Sequence, residues 1–127
     1  FNIKDLYAKR DWGYARDYIK LIHQCTIEKK PGDYLIGSGK LHSVKNIVDE
    51  AFKYFGFKIE WKKKGKIIYG IYKNRVLVKS IIKKDRKLKA IYADNSEINK
   101  KFKFKPSLSF KELIKHMCKH EENKYKS

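Results

Sequence analysis

The run Lys9-Arg10-Asp11-Trp12-Gly13-Tyr14-Ala15-Arg16-Asp17-Tyr18 sets an arginine, a carboxylate and an indole side by side where a helical pattern begins. Two chemistries fit that order. In the first, Asp11 caps the helix, Trp12 packs, and Arg10 pairs with a surface carboxylate. In the second, Arg10 points out of the loop and its planar fork clamps an anionic group such as a diphosphate. The residues alone leave both open. His116 and His120 stand four apart, the spacing of a two-histidine metal face. With no third ligand and no HExxH glutamate, they read as two histidines on a solvated helix end. The sequence contains no glycine-rich dinucleotide loop, no Walker motif, no GxSxG elbow and no Tyr-x-x-x-Lys in a helical context. Cys25 and Cys118 fall in helical stretches, where free cysteines behave as small apolar residues of a reduced, cytosolic chain. No self-sufficient active site is encoded.

These candidates need elements to position them. Tyr14, Tyr18, Leu21, Ile22 and Cys25 recur at helical spacing and predict a helix over 13–28, ended by Pro31-Gly32. Asp33 to Gly37 predicts a short buried strand closed by glycines. Ser43 predicts an N-cap for a helix with Val44, Ile47, Val48, Ala51, Phe52 and Phe55 inward, and Gly56 stands where a terminating glycine belongs. Phe57 to Trp61 alternates as a half-buried strand, 62–66 makes a turn at Gly65, and Ile67–Tyr72 and Arg75–Lys79 flank Lys73-Asn74 as two further strands. The stretch from Ser80 to Ala93 has no clean period. Asp94 to Ser96 caps a short helix through Lys101. Lys101 to Lys105 alternates like a strand, or is a helix end followed by an extended approach to Pro106. Ser109-Phe110-Lys111-Glu112 is a capping box opening the last helix, with Phe110, Leu113, Ile114 and Met117 inward. That order describes one mixed α/β unit over residues 1–127, not a complete doubly wound domain.

Composition sets the outer bounds. With 42% apolar and 14% aromatic residues the chain can build a core, and no apolar run approaches the roughly 20 residues that cross a membrane. The net charge of +18 invites a nucleic-acid reading. Yet lysine supplies 28 of the 32 basic residues, and only Arg10, Arg16, Arg75 and Arg86 carry the guanidinium fork that base readout and phosphate clamps favour. The accompanying wealth of Ile, Asn and Tyr points to A/T-rich codons as the common cause. A stand-alone basic nucleic-acid-binding module is therefore the rival reading, not the leading one.

The Lys9–Gly13 and Arg16-Asp17-Tyr18 motifs resemble the signature of GDP-mannose 4,6-dehydratases, within the extended short-chain dehydrogenase/reductases. The likeness continues in register. Residues 31–39, ending Gly37-Ser38-Gly39, resemble that family's strand closing in Ser-Gly. His42-Ser43-Val44 begins the next helix, and Phe55-Gly56-Phe57-Lys58-Ile59-Glu60-Trp61 resembles its return strand. Lys105-Pro106 and Ser109-Phe110 with Leu113 resemble the closing segment. The resemblance implies an α/β, C-terminal substrate-binding lobe of an extended short-chain dehydrogenase/reductase, with the Rossmann half absent. The activity implied is a lyase reaction: GDP-mannose to GDP-4-keto-6-deoxymannose by intramolecular hydride transfer with NADP. By the resemblance, the missing N-terminal half binds NADP and carries the catalytic residues, and the complete enzyme is a cytoplasmic homo-oligomer. Arg10 matches the arginine that contacts the substrate diphosphate. The family's Arg-Pro-x-Glu, whose Arg and Glu help hold the nucleotide, is replaced by Asp85-Arg86-Lys87-Leu88-Lys89, so Arg86 stands as a second substrate contact while the glutamate has no counterpart. Phe104 replaces a Trp. A lobe of another nucleotide-sugar epimerase or dehydratase is the alternative within the same fold.

Overall fold

The computed structural model describes residues 1–29, 32–82 and 93–126. Its elements run β1 (Asn2–Ile3), β2 (Lys9–Asp11), α1 (Ala15–Thr26), β3 (Leu41–Ser43), α2 (Val44–Tyr54), β4 (Glu60–Lys64), β5 (Ile67–Tyr72), β6 (Arg75–Ile81), α3 (Ser96–Phe102) and α4 (Phe110–Lys124). The mixed α/β class expected from the element order is what forms.

β4, β5 and β6 make an antiparallel meander because two tight turns reverse the chain. Gly65 takes φ +60° at the first turn, and Lys73 and Asn74 take φ +45° and +63° at the second. Two successive left-handed residues are the mark of a type I′ hairpin, whose twist suits the flanking strands. β1 adds to β6 in parallel, giving the order β1-β6-β5-β4. Leu6, Val48, Ile68 and Val78 form the core between this sheet and α2.

α2 is defined at both ends. The Ser43 hydroxyl accepts from the Asn46 backbone N–H at 3.1 Å, and the Asn46 side chain accepts from the Ser43 N–H at 2.9 Å. At the other end Gly56 takes φ +79°, its N–H donates to Lys53 O, and the Phe57 N–H donates to Phe52 O at 2.8 Å. That pair of bonds is a Schellman motif, which glycine permits without a Cβ clash. Of the expected inward face, Val48 is buried, Val44, Ile47, Ala51 and Phe52 are half-buried, and Phe55 is exposed.

Trp61 fastens the sheet to α2. Its indole N–H donates to Asp49 Oδ1 at 2.7 Å, and Lys45, itself paired with Asp49, lies over the ring. Gly70, its cross-strand partner, leaves room for the indole: a Cβ there would come within 3.0 Å of the Trp61 ring.

The structure corrects several expectations. Asp33 to Gly37 is not a strand, because no neighbouring strand offers it a ladder among the described residues. Its groups go elsewhere: Tyr34 packs edge-on against Phe102, and the Gly37 carbonyl accepts from the Asn95 side chain at 2.6 Å. Strand pairing begins at Glu60 instead of Phe57 and continues through Lys64, since the Phe57 N–H is already used in closing α2. The first helix is shorter than expected at both ends, with Tyr14 at its N-cap. The Lys101–Lys105 alternation is a helix end: Lys103 takes φ +51° and the chain then runs out to Pro106. The Ser109–Glu112 capping box forms, and Leu113 and Ile114 are buried. Met117 is 56% exposed instead of inward. The row at intervals of four, Ile114, Cys118 and Glu122, turns toward α2, where Glu122 accepts from the Tyr54 hydroxyl at 2.8 Å. Met117 falls beside that row. Pro31, most of the aperiodic stretch after Ser80 and the whole Asp85–Lys89 segment lie outside the described residues.

Candidate functional site

Arg10 sits at the centre of β2, paired with His42 of β3 in a two-stranded antiparallel ribbon. It is exposed, and its Nη1 donates to the Lys9 carbonyl at 2.7 Å. Among the described residues no carboxylate forms an ion pair with it. The reading in which Arg10 is neutralised by a surface carboxylate thus has no support there.

Asp11 does not cap α1, whose first turn instead closes on the Tyr14 carbonyl. Its carboxylate reaches across the ribbon. Oδ1 accepts from the Ser38 N–H at 2.8 Å and from the Ser38 hydroxyl, and Oδ2 accepts from the Gly39 N–H at 2.9 Å. Two consecutive backbone donors facing one anion make a nest of the kind that could cradle phosphate. Here the anion is the chain's own, so Gly37-Ser38-Gly39 serves to fix Asp11 and with it the strand that carries Arg10. Gly37 is required by this contact. A Cβ there would lie 2.7 Å from Asp11 Oδ2 and 2.6 Å from the Ala93 Cβ.

The rest of the motif is also architectural. Trp12 donates its indole N–H to the His42 carbonyl at 3.3 Å. Gly13 lies under the Tyr18 ring, where a Cβ would fall 1.8 Å from the phenol oxygen. Asp17, only 8% exposed, accepts from the Ser107 N–H and hydroxyl at 2.8 Å each, closing a loop of ninety residues. Burial, then the nearby Asp11 and Asp17 carboxylates, push the Tyr18 phenol above its ordinary value, so it stays protonated and is no general base.

Beside this ribbon lies an open groove of about 640 Å³, walled by Trp12, Lys40, His42, Pro106, Ser109 and Phe110 among others. The His42 ring stacks on Phe110, centroids 3.8 Å apart and 8° from parallel. Arg10 does not line this groove, although its neighbour Trp12 and its strand partner His42 do.

The described residues contain no cluster of three or more His, Cys, Asp or Glu able to hold a metal. His116 sits edge-on to Tyr14 at 5.4 Å, and His120 is exposed. Burial pushes the Cys118 thiol up, away from the thiolate a nucleophile needs. The seven glycines all lie among the described residues, and there none sits in a turn leading from a parallel strand into a helix. Arg86 lies outside the described residues. The anchoring roles of Asp17, Ser38 and Gly39 were not read from sequence. An aspartate on the apolar side of a helix was the available signal.

A family model described as GDP-mannose 4,6 dehydratase matches residues 1–117. The GDP-mannose 4,6 dehydratase of Drosophila melanogaster is 32% identical over 123 residues, covering 94% of this chain and 31% of that protein. The Homo sapiens protein of that name is 30% identical over 121 residues, covering 92% and 32%. The chain thus spans about a third of the length of these relatives. Among solved structures, the dTDP-glucose 4,6-dehydratase of Bacillus anthracis, crystallised with NAD, superposes with a TM-score of 0.67 at 19% identity. That match covers 98% of this chain and 35% of the other. The Bordetella bronchiseptica enzyme WbmG, solved with NAD and UDP, gives 0.62 at 19% identity over 89% of this chain and 32% of the other. At such identity the likeness speaks for the fold alone: this chain folds as about a third of each of those structures does.

Proposed function

We propose that this chain, which belongs to the GDP-mannose 4,6-dehydratase family, is the C-terminal substrate-binding lobe of such an enzyme and holds the diphosphate of GDP-mannose through Arg10. Arg86 is the second cation in this reading. The complete enzyme would be a cytoplasmic homo-oligomer that converts GDP-mannose to GDP-4-keto-6-deoxymannose, a lyase reaction using NADP. Among the described residues no glycine turn between a parallel strand and a helix offers NADP a cradle, so in this reading the cofactor belongs to the remainder of the enzyme and the chain by itself turns over no substrate.

The observation that supports this reading is the state of Arg10. An anion site needs a cation that is held in place and not already neutralised. Arg10 is exposed, unpaired by any carboxylate among the described residues, and carried on a strand pinned on its C-terminal side by Asp11 and Trp12. The test uses an enzyme in which residues 1–127 replace the matching third of the Drosophila relative. Arg10→Lys should weaken GDP-mannose binding by about 1–3 kcal/mol, because a point charge cannot reproduce a two-pronged contact. Lys64→Ala, on the solvated end of β4, should leave the calorimetric affinity unchanged. Equal losses at both positions would mean that net charge attracts the ligand and would sink the assignment. Equal binding of a UDP-sugar would keep the diphosphate clamp and remove the mannose specificity.

A further inference from the structure

β4 is the outermost strand of its sheet. It pairs with β5 on one side, and on the other no strand meets it among the described residues. Such an edge presents a row of unpaired N–H and C=O groups, a template for one more strand. Beside it runs an open groove of about 570 Å³, between α2 and the segment leading into β4. Phe57, Ile59 and Trp61, alternate residues, give the groove its apolar floor. Both rings are held in place. Phe57 stands edge-on to Phe52 at 6.1 Å and to Tyr72 at 4.9 Å, yet remains 38% exposed, and the Trp61 indole is bonded to Asp49. Lys45, Asp49 and Lys53, spaced by four along α2, line the groove from the helix, and Lys58 completes its rim. Asp49 already accepts from Trp61 and from Lys45, at 2.7 Å each. Lys53 and Lys58 are exposed, and among the described residues no carboxylate pairs with either. An apolar floor thus meets an uncompensated positive rim, and Lys62 and Lys64 carry that charge along the strand itself.

The charge selects the occupant. Lysines on an edge strand keep another basic edge away, so a second copy of this chain, at net charge +18, is repelled. An acidic strand is attracted by the same side chains. We propose that the groove and the free edge of β4 together bind an extended acidic peptide of another protein, which joins the sheet as a further strand. Main-chain hydrogen bonds to β4 supply the affinity, and alternate apolar side chains of the peptide rest on Phe57, Ile59 and Trp61. The carboxylates between them face Lys62 and Lys64, which alternate with Trp61 on the other face of the strand. Lys53 and Lys58 add attraction at the rim. Arg10 takes no part, so this surface stands or falls apart from the nucleotide-sugar reading.

The test uses the chain 1–127 and a short peptide alternating glutamate with valine. The peptide should bind and slow hydrogen exchange in β4 by about tenfold or more, since strand pairing suppresses local opening. Two methylated forms then ask whether it pairs as a strand. Methyl groups on the backbone nitrogens of all the valines, or of all the glutamates, leave the charge unchanged but block opposite edges of the peptide. One form should lose binding and the other keep it. Lys62→Glu with Lys64→Glu should weaken binding by about tenfold or more through like-charge contact. Lys20→Glu with Lys119→Glu makes the same change of charge at exposed positions outside the groove and should have little effect. Failure of the peptide to bind, equal effects of the two methylations, or equal losses in the two double variants overturns the proposal. Equal binding of oligothymidylate or of a glutamate-only peptide would assign the attraction to net charge and overturn it too. A dimer of the chain alone in sedimentation, with β4 already protected, would replace it with self-pairing.

Discussion

The sheet with α2 and the corner formed by β2, β3 and α1 lie in one small molecule but are held by different forces. The first is packed: Leu6, Ile68 and Val78 are each at most 3% exposed, Val48 is 9% exposed, and two turns with left-handed residues set the register. The second is tied: Asp11 gathers Ser38 and Gly39, Asp17 gathers Ser107, and Asn95 holds the Gly37 carbonyl. Packing is forgiving of sequence as long as volume and pattern are kept. A tie made by one carboxylate to backbone donors depends on the identity of that residue. The geometry of the corner therefore hangs on Asp11, Asp17 and Asn95 one by one. The corner is also what carries Arg10, on β2.

The largest expected effect lies on the packed side. Leu6→Ala should cost about 2–5 kcal/mol in urea unfolding, since it empties a fully buried site between sheet and helix. On the tied side, Asp17→Ala should cost about 1–3 kcal/mol, by leaving the Ser107 N–H without its acceptor. The pair Asp17→Ala and Ser107→Ala should be clearly non-additive, whereas Leu6→Ala with Asp17→Ala should add. Additive losses at Asp17 and Ser107 would show that the tie contributes nothing, and the contrast would collapse.

The same contrast governs what could be read from the sequence. Helices at Ser43 and Ser109 and the hairpin around Lys73-Asn74 announce themselves locally, through caps, apolar spacing and turn residues. Their boundaries fall within a residue or two of expectation. The corner does not. Asp33 to Gly37 has the composition of a buried strand, but strand formation needs a partner, and local composition says nothing about partners. Asp11 looks like a helix cap because caps are local, whereas the backbone donors it binds lie 27 and 28 residues away. Arg10 was legible as a candidate clamp. The groove walled by Trp12, His42 and Phe110 was not, since it joins three segments distant in sequence.

A smaller effect sharpens the boundary between the regions. Ser43 belongs to both: it ends β3, pairs with Lys9, and caps α2. Ser43→Ala should cost about 1 kcal/mol, the ordinary worth of a capping hydroxyl. The loss should appear as faster exchange in the first turn of α2, with the β5–β6 hairpin unaffected. Faster exchange spreading to Ser38 and Gly39 instead would show that the corner leans on the cap.

The smallest effect concerns acid. Glu112 is held below its ordinary value of 4.5 by hydrogen bonds from the Ser109 hydroxyl and backbone N–H at the start of α4. A carboxylate whose pKa is lower folded than unfolded binds fewer protons in the native state. Its stabilising contribution is therefore complete above pH about 4.5 and is lost as pH falls through the lowered folded value. Because the group is exposed, the loss should be slight and weakened further by salt. Glu112→Gln should flatten that part of the stability profile while keeping a hydrogen-bond acceptor in the capping box. The corner should show no matching change from this substitution, because Glu112 touches none of its ties. An unaltered acid slope in Glu112→Gln would assign the decline to other carboxylates, with Glu121 and Glu122 next in line, since their hydrogen bonds to Lys124 and Lys126 also hold them below their ordinary value.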